Sequence, residues 1–277
     1  MAELKQATGQ DGRRLFAIPM AQSSRDAAGL ALDRISFRQW LLDNGFTAPT
    51  LHWLANYACR DDYGTSSDQV SAWAGIHYFA CRNGEALDAA DDAVLTTPGG
   101  NAWLAEGLLR SIREHAGDRL LTGAMAVRVA EVDGGVAVDF WQPAEDRTLR
   151  IVAEQLIWAA PLFLIPHVFA GHEELKAAAG NFTHAPWLVA NLTLSQLPES
   201  RAGVATAWDN VLYDSPALGY VVATHQQMRL RPGATVLTYY HALSATPPQA
   251  GRAMLQATPR EVWAEQILAD LERAHPD

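Results

Sequence analysis

The sequence predicts an α/β fold of the α+β kind, and two patterns lead to that reading. Residues 25–92, 102–116 and 247–277 read as helical, whereas 125–140 and 185–243 read as strands, with 188–194 alternating at a period of two. Turn residues separate the segments: Pro98-Gly99-Gly100, Asp133-Gly134-Gly135 and Arg231-Pro232-Gly233. The expected organisation is a helical part over 1–93, a central part over 94–161, and a sheet with helices over 162–277.

A chain of 277 residues can bury a substantial core, and an apolar share of 49% rules out a disordered polymer. The net charge is −10 with basic residues scattered, which argues against nucleic acid as a partner. Cys59 and Cys81 are too few for a disulfide framework or a zinc site, and they read as reduced, buried thiols of a cytoplasmic protein. No signal peptide and no apolar run near ~18 residues is present, so no membrane partner is expected.

In chain order, Leu15–Ile18 reads as a short strand ended by Pro19. Ser36 caps a helix through Trp40 and Leu41 that stops at Asn44-Gly45. Pro49 suits the first turn of the next helix, which runs through Leu51, Leu54 and Tyr57 to a polar break at 60–64. Ser66 or Ser67 caps a third helix whose apolar face carries Val70, Trp73, Ala74, His77, Tyr78 and Cys81. Asp88–Asp92 is an acidic linker, and Val94-Leu95 ends an extended run. Asn101 caps a helix with Leu104, Leu108 and Ile112 at helical steps, widened by Trp103 and Leu109 and closed by Gly117. Leu120-Leu121, Met125–Val132, Val136–Phe140 and Glu154–Ala159 read as strands. His167 and His172 lie too far apart for a helical metal pair, so no metal is expected; Gly171–Glu174 opens a short helix ending at Gly180. Leu188, Ala190, Leu192 and Leu194 share one face of a strand. Further strands are expected at 204–208, 211–213, 219–224 and 234–241, with Asp209-Asn210 as a turn. Pro247-Pro248 and Pro259 start the two last helices, the second with Trp263, Ile267 and Leu271.

The run Pro98-Gly99-Gly100-Asn101, Trp103-Leu104 and Gly107-Leu108, then Ala126–Val129, then the hairpin, then Gln155–Pro161 resembles the middle of the flavin-dependent amine oxidase superfamily. That group includes monoamine and polyamine oxidases, protoporphyrinogen oxidase and phytoene desaturases. The resemblance implies a partial FAD-binding domain at 94–161, flanked by a substrate domain of helices and an antiparallel sheet. It places the FAD adenine against Ala126 or Val127 and the strand exit at Ala160-Pro161. The family opens on G-x-G-x-x-G and closes on a second glycine-rich flavin segment. Neither occurs here, so the resemblance implies an internal piece of a larger flavoprotein that does not hold FAD by itself.

The implied activity is FAD-dependent oxidation of a small organic substrate, of the amine-oxidase or desaturase kind. Asp61, Asp62 and Tyr63 can orient a cationic substrate, and Trp73, His77 and Tyr78 can line a pocket; Tyr240 is a further polar candidate on the second sheet. Beside this stands a packing reading, in which Asp61 and Asp62 end a helix and His77 and Trp73 belong to a core. The strand from Pro186 to Leu194 has no lysine, although many amine oxidases place one there. That departure favours a desaturase-like or unassigned member. The alternative function is a non-catalytic binding or scaffold protein that kept the substrate-domain fold and lost its flavin half, or borrows it from a separate chain carrying the dinucleotide-binding fold.

Overall fold

The computed structural model describes residues 2–82, 97–98, 100–117, 119–199, 203–204, 207–224 and 233–276. It is a mixture of α-helices and two antiparallel sheets, as the sequence patterns predict. The chain forms two compact units, Met1–Pro98 with His184–Asp277, and Gly99–Thr183.

The first unit begins with five helices, α1 (Ala2–Gln6), α2 (Ala27–Ala31), α3 (Phe37–Asp43), α4 (Pro49–Tyr63) and α5 (Ala72–Ala80). Ser36 Oγ accepts from the Gln39 amide at 3.1 Å and opens α3 as expected. Pro49 takes the first turn of α4, and Gly64, at φ 64°, ends it in the left-handed region that glycine favours. The expected polar break at 60–63 is the last turn of α4. The cap of α5 is Ser71, whose Oγ accepts from Ala74 N at 3.2 Å, and neither Ser66 nor Ser67 fills that role. A cap needs extended backbone immediately before the first helical residue, and only Ser71 has it here. Phe16, Phe37, Leu41, Ala55, Cys59, Val70, Ile76 and Ala80 form the helical core. Leu15–Ile18 is no strand; Phe16 inserts into this core from irregular backbone. Burial of one large ring therefore decides that segment, not strand pairing.

The same unit ends in a sheet of order β4-β7-β6-β5 and two helices. The strands are β4 (Trp187–Leu194), β5 (Asp209–Asn210), β6 (Gly219–Val222) and β7 (Thr235–Ala242), and the helices are α9 (Pro248–Ala257) and α10 (Arg260–Ala274). Asp209-Asn210 is a short strand paired with Val221 and Tyr220, not a turn, and Val211–Tyr213 is not a strand. Tyr220, Val222, Leu237 and Tyr239 fill one face, packed with Ile267 and Leu271 of α10. Leu188, Ala190, Leu192 and Leu194 lie against that cluster, as their alternation predicts. The opposite face carries Val189, Asn191, Thr193, Val221, Thr238 and Tyr240, with Asp209 in register beside Val221. The expected positions at 88–92, 94–95 and 231–232 lie outside the described residues.

The second unit contains α6 (Ala102–Ala116), the meander β1 (Met125–Val132), β2 (Gly135–Gln142) and β3 (Arg147–Ala153), then α7 (Ile165–Val168) and α8 (Glu173–Gly180). Gly117 closes α6 as expected, whereas Asn101 makes no side-chain cap bond. The third strand is Arg147–Ala153, in register with β2, and the expected strand at Glu154–Ala159 leaves the sheet without pairing. The earlier segment wins because Asp146 turns the chain in the left-handed region, and Arg150 pairs with Asp139 across the ladder at 2.6 Å. Leu120-Leu121 is likewise unpaired. No described residue of α6 is buried, although its apolar residues share one face.

Candidate functional site

The polar and aromatic groups that converge best lie between α4, α5 and β5. Trp53, Tyr57 and Asp61 recur every four residues, which puts them on one face of α4. Trp53 stacks on Tyr57 at 5.8 Å and meets Tyr213 at 4.8 Å. Tyr78 of α5 donates to Asp61 Oδ2 at 3.3 Å. Asp209 lies near enough to act on both Tyr57 and Asp61. Arg82 sits 4.3 Å over the Tyr78 ring and 3.6 Å from Asp62.

Partial burial raises the Asp61 carboxyl above the usual range, with Asp62 next and Asp209 adding to the effect, while the Tyr78 hydroxyl opposes it. Burial also raises Asp209, against a backbone hydrogen bond from Asn210. The Tyr57 hydroxyl is raised by burial first and then by Asp209 and Asp61. The half-buried Asp61 carboxylate and the more exposed Asp209 therefore lie near Tyr57 and Tyr78 in a place where a negative charge is disfavoured. A positive group entering there relieves both carboxylates and meets ring faces suited to cation–π contact.

The sequence-derived candidates are distributed differently. Tyr63 donates to the Ala74 carbonyl at 2.7 Å and ties α4 to α5. Trp73 and His77 stack at 4.8 Å, Trp73 also meets Phe16, and His77 Nε2 bonds the Ala17 carbonyl at 2.9 Å. These contacts hold the N-terminal segment on the helical core. Tyr240 lies on the face of β7 turned away from α10. Asp209, Trp53 and Tyr213 were absent from the sequence-derived set. The four-residue spacing of Trp53, Tyr57 and Asp61 was a readable signal, whereas the approach of Asp209 depends on long-range pairing.

His241 neighbours Arg60 and Asp270 near the other face of β7. Burial, and then the Arg60 charge, hold its imidazole below the ordinary value of about 6.5, while Asp270 opposes them. The native state thus binds this proton less readily than the unfolded chain. Its contribution to stability is complete above pH ~6.5 and is lost as the pH falls toward the lowered folded value. Urea midpoints should fall more steeply below pH ~6.5 in the wild type than in His241→Gln; equal slopes would remove His241 from the account.

The residues implied for FAD were Ala126, Val127, Ala160 and Pro161. Ala126 pairs with Phe140 and Arg128 with Asp139, so Val127 bulges from the ladder with its side chain exposed. Bulged strand backbone fits the polar edge of an adenine. Ala160 and Pro161 are exposed before a short 3-10 turn at Leu162–Leu164. The sequence has no G-x-G-x-x-G turn for a pyrophosphate, and no chemical step runs through the flavin here. Among the described residues, no group of three or more His, Cys, Asp or Glu is placed to hold a metal, and no helix is long and apolar enough to cross a membrane.

No protein-family model matches the sequence, and no curated protein matches it. Solved structures do. Putrescine oxidase with bound putrescine superimposes with a TM-score of 0.64 at 16% identity, over 90% of this chain and 52% of that one. A redesigned triple mutant of putrescine oxidase gives 0.65 at 15%, over 91% and 53%. The chain has part of an amine oxidase fold. Cyclohexylamine oxidase from Brevibacterium oxydans IH-35A extends the likeness, with a TM-score of 0.58 at 15% identity, over 98% of this chain and 55% of that one. The chain thus spans about half the length of the amine oxidases that it matches.

Proposed function

We propose that the chain is the central, substrate-binding portion of an FAD-dependent oxidoreductase that oxidises a small organic amine bound as a cation. The observation that carries this reading is the cluster of Asp61, Asp209, Tyr57 and Tyr78 within an amine oxidase fold. FAD, when bound, supplies the hydride acceptor. The residues of this chain bind and orient the substrate: the carboxylates attract the ammonium, and the rings of Trp53 and Tyr57 flank its apolar part. Half-burial of Asp61 weakens competition from water, so that carboxylate counts for more than on an open surface.

The test uses the coding region with its flanking DNA. The expressed product should carry flavin absorbance and release peroxide, or reduce a dye, with amines. Asp61→Asn and Asp209→Asn should each raise KM for a cationic amine roughly tenfold, the equivalent of about 1.4 kcal/mol, with kcat less affected. Unchanged KM in both variants, or equal turnover of a neutral analogue, defeats the cationic assignment.

A second reading is a non-catalytic binding chain that borrows a dinucleotide-binding fold from a separate protein. It is favoured by the lack of a G-x-G-x-x-G turn in this sequence. Flavin retained by the product of one reading frame would count against it.

A further inference from the structure

We infer that the apolar face of α6, with the free strand β3 and the segment that follows it, is an interior surface. Its occupant is the flanking polypeptide of the same reading frame, carrying the rest of the amine oxidase fold. The occupant's identity rests on the functional reading above; the existence of the surface does not.

The helix itself makes the case for a missing neighbour. A lone helix of about 15 residues is marginal in water even with the best helix formers, and stability in proteins comes from packing an amphipathic face. α6 has that length and contains Gly107, an unfavourable helix residue. Leu104, Leu108 and Ile112 follow helical steps along one face, and their exposures are 56%, 68% and 44%. A single exposed leucine is ordinary, whereas a contiguous stripe of this kind marks a contact surface. Polar residues stand on the rest of the helix, at Glu106, Arg110, Arg113 and Glu114, so the helix is amphipathic and its apolar side is as open as its polar side.

β3 repeats the pattern. Every residue of the strand is exposed, Ile151 and Val152 among them, and among the described residues only its β2 side is paired. An exposed apolar edge strand invites pairing with another chain unless something covers it. Beyond it, Ile157 is 89% exposed. The exposed apolar residues of this unit therefore span a helix, a sheet edge and a connecting segment.

The extent of the likeness identifies the occupant. The amine oxidases superimpose on 90–98% of this chain but extend to nearly twice its length. A second copy of this chain would bring another α6 and no further part of that fold.

Hydrogen exchange on residues 1–277 and on the longer product of the same frame tests this. In the longer product, amide protection over 102–116 and 147–153 should rise at least about tenfold. Leu108→Glu and Ile151→Glu should leave the melting of the 1–277 chain unchanged but destabilise the longer product. The inference is overturned if the frame does not extend beyond this sequence, or if protection is the same in both products. It is also overturned if the 1–277 chain dimerises with that protection already present. Protection without flavin binding or amine oxidation would keep the surface and sink the functional reading. Amine oxidation with α6 still open would do the reverse.

Discussion

Asp270→Ala should lower the unfolding free energy by about 3 kcal/mol or more, the largest loss expected from a single polar side chain here. Asp270, on α10, is 8% exposed. Its Oδ2 accepts from Ser215 Oγ at 2.7 Å and from the Tyr239 hydroxyl at 3.0 Å, and its Oδ1 from Arg273 Nη1 at 2.9 Å. One carboxylate thereby joins α10 to β7 and to the loop before β6. Removing it strands two buried hydroxyls, and the cost of burying unpaired donors exceeds the value of the bonds themselves. Asp270→Asn keeps the shape and one acceptor and should lose about half as much. Replacing the whole set with Asp270→Leu, Ser215→Ala and Tyr239→Phe should recover much of the loss, because no polar group is then left unpaired. Urea unfolding measures each step. A loss below about 1 kcal/mol for Asp270→Ala would show that water replaces the carboxylate.

The second large effect reverses a general preference. Gly75 lies inside α5, where alanine ordinarily stabilises by about 1 kcal/mol. Here a Cβ would clash with Cγ and Cδ1 of the Phe37 ring. Phe37 is 1% exposed and cannot swing away. Overpacking of a close-packed core costs about 1–3 kcal/mol and occasionally more, so the clash outweighs the helix preference and Gly75→Ala should destabilise by about 2 kcal/mol. Phe37→Leu destabilises alone by leaving a void, yet it should soften the effect of Gly75→Ala. A double-mutant cycle should therefore give a coupling of about 1 kcal/mol or more. A stabilising Gly75→Ala would mean that α3 and α5 separate without cost.

Much of the secondary structure was readable because its signals are local. The cap at Ser36, the stop at Gly117, the hairpin at Asp133-Gly134-Gly135 and the alternation along Trp187–Leu194 depend on nearest neighbours and hold in the structure. The misplaced elements were those that depend on distant partners. Arg147–Ala153 and not Glu154–Ala159 completes the meander, because a strand exists only where a neighbour offers a matching ladder. Asp209-Asn210 looked like a turn and became a strand for the same reason. Ser71 displaced Ser66 and Ser67 as a cap because the chain makes a tight turn at 67–69 before α5 begins.

The candidate site divides in the same way. Trp53, Tyr57 and Asp61 share a helix face by spacing alone, so half of the cluster is written in the sequence. Spacing also gave Trp73 and His77 a common face, and that face meets Phe16 and Ala17 of the N-terminal segment. By itself the sequence determined most of the helices and strands and the acid-and-aromatic character of α4. Tertiary structure alone decided which helix face turned inward and that Asp209 came to lie near Asp61. A helix repeats every 3.6 residues whatever surrounds it, but its neighbours are set by ladder pairing and burial across the whole chain.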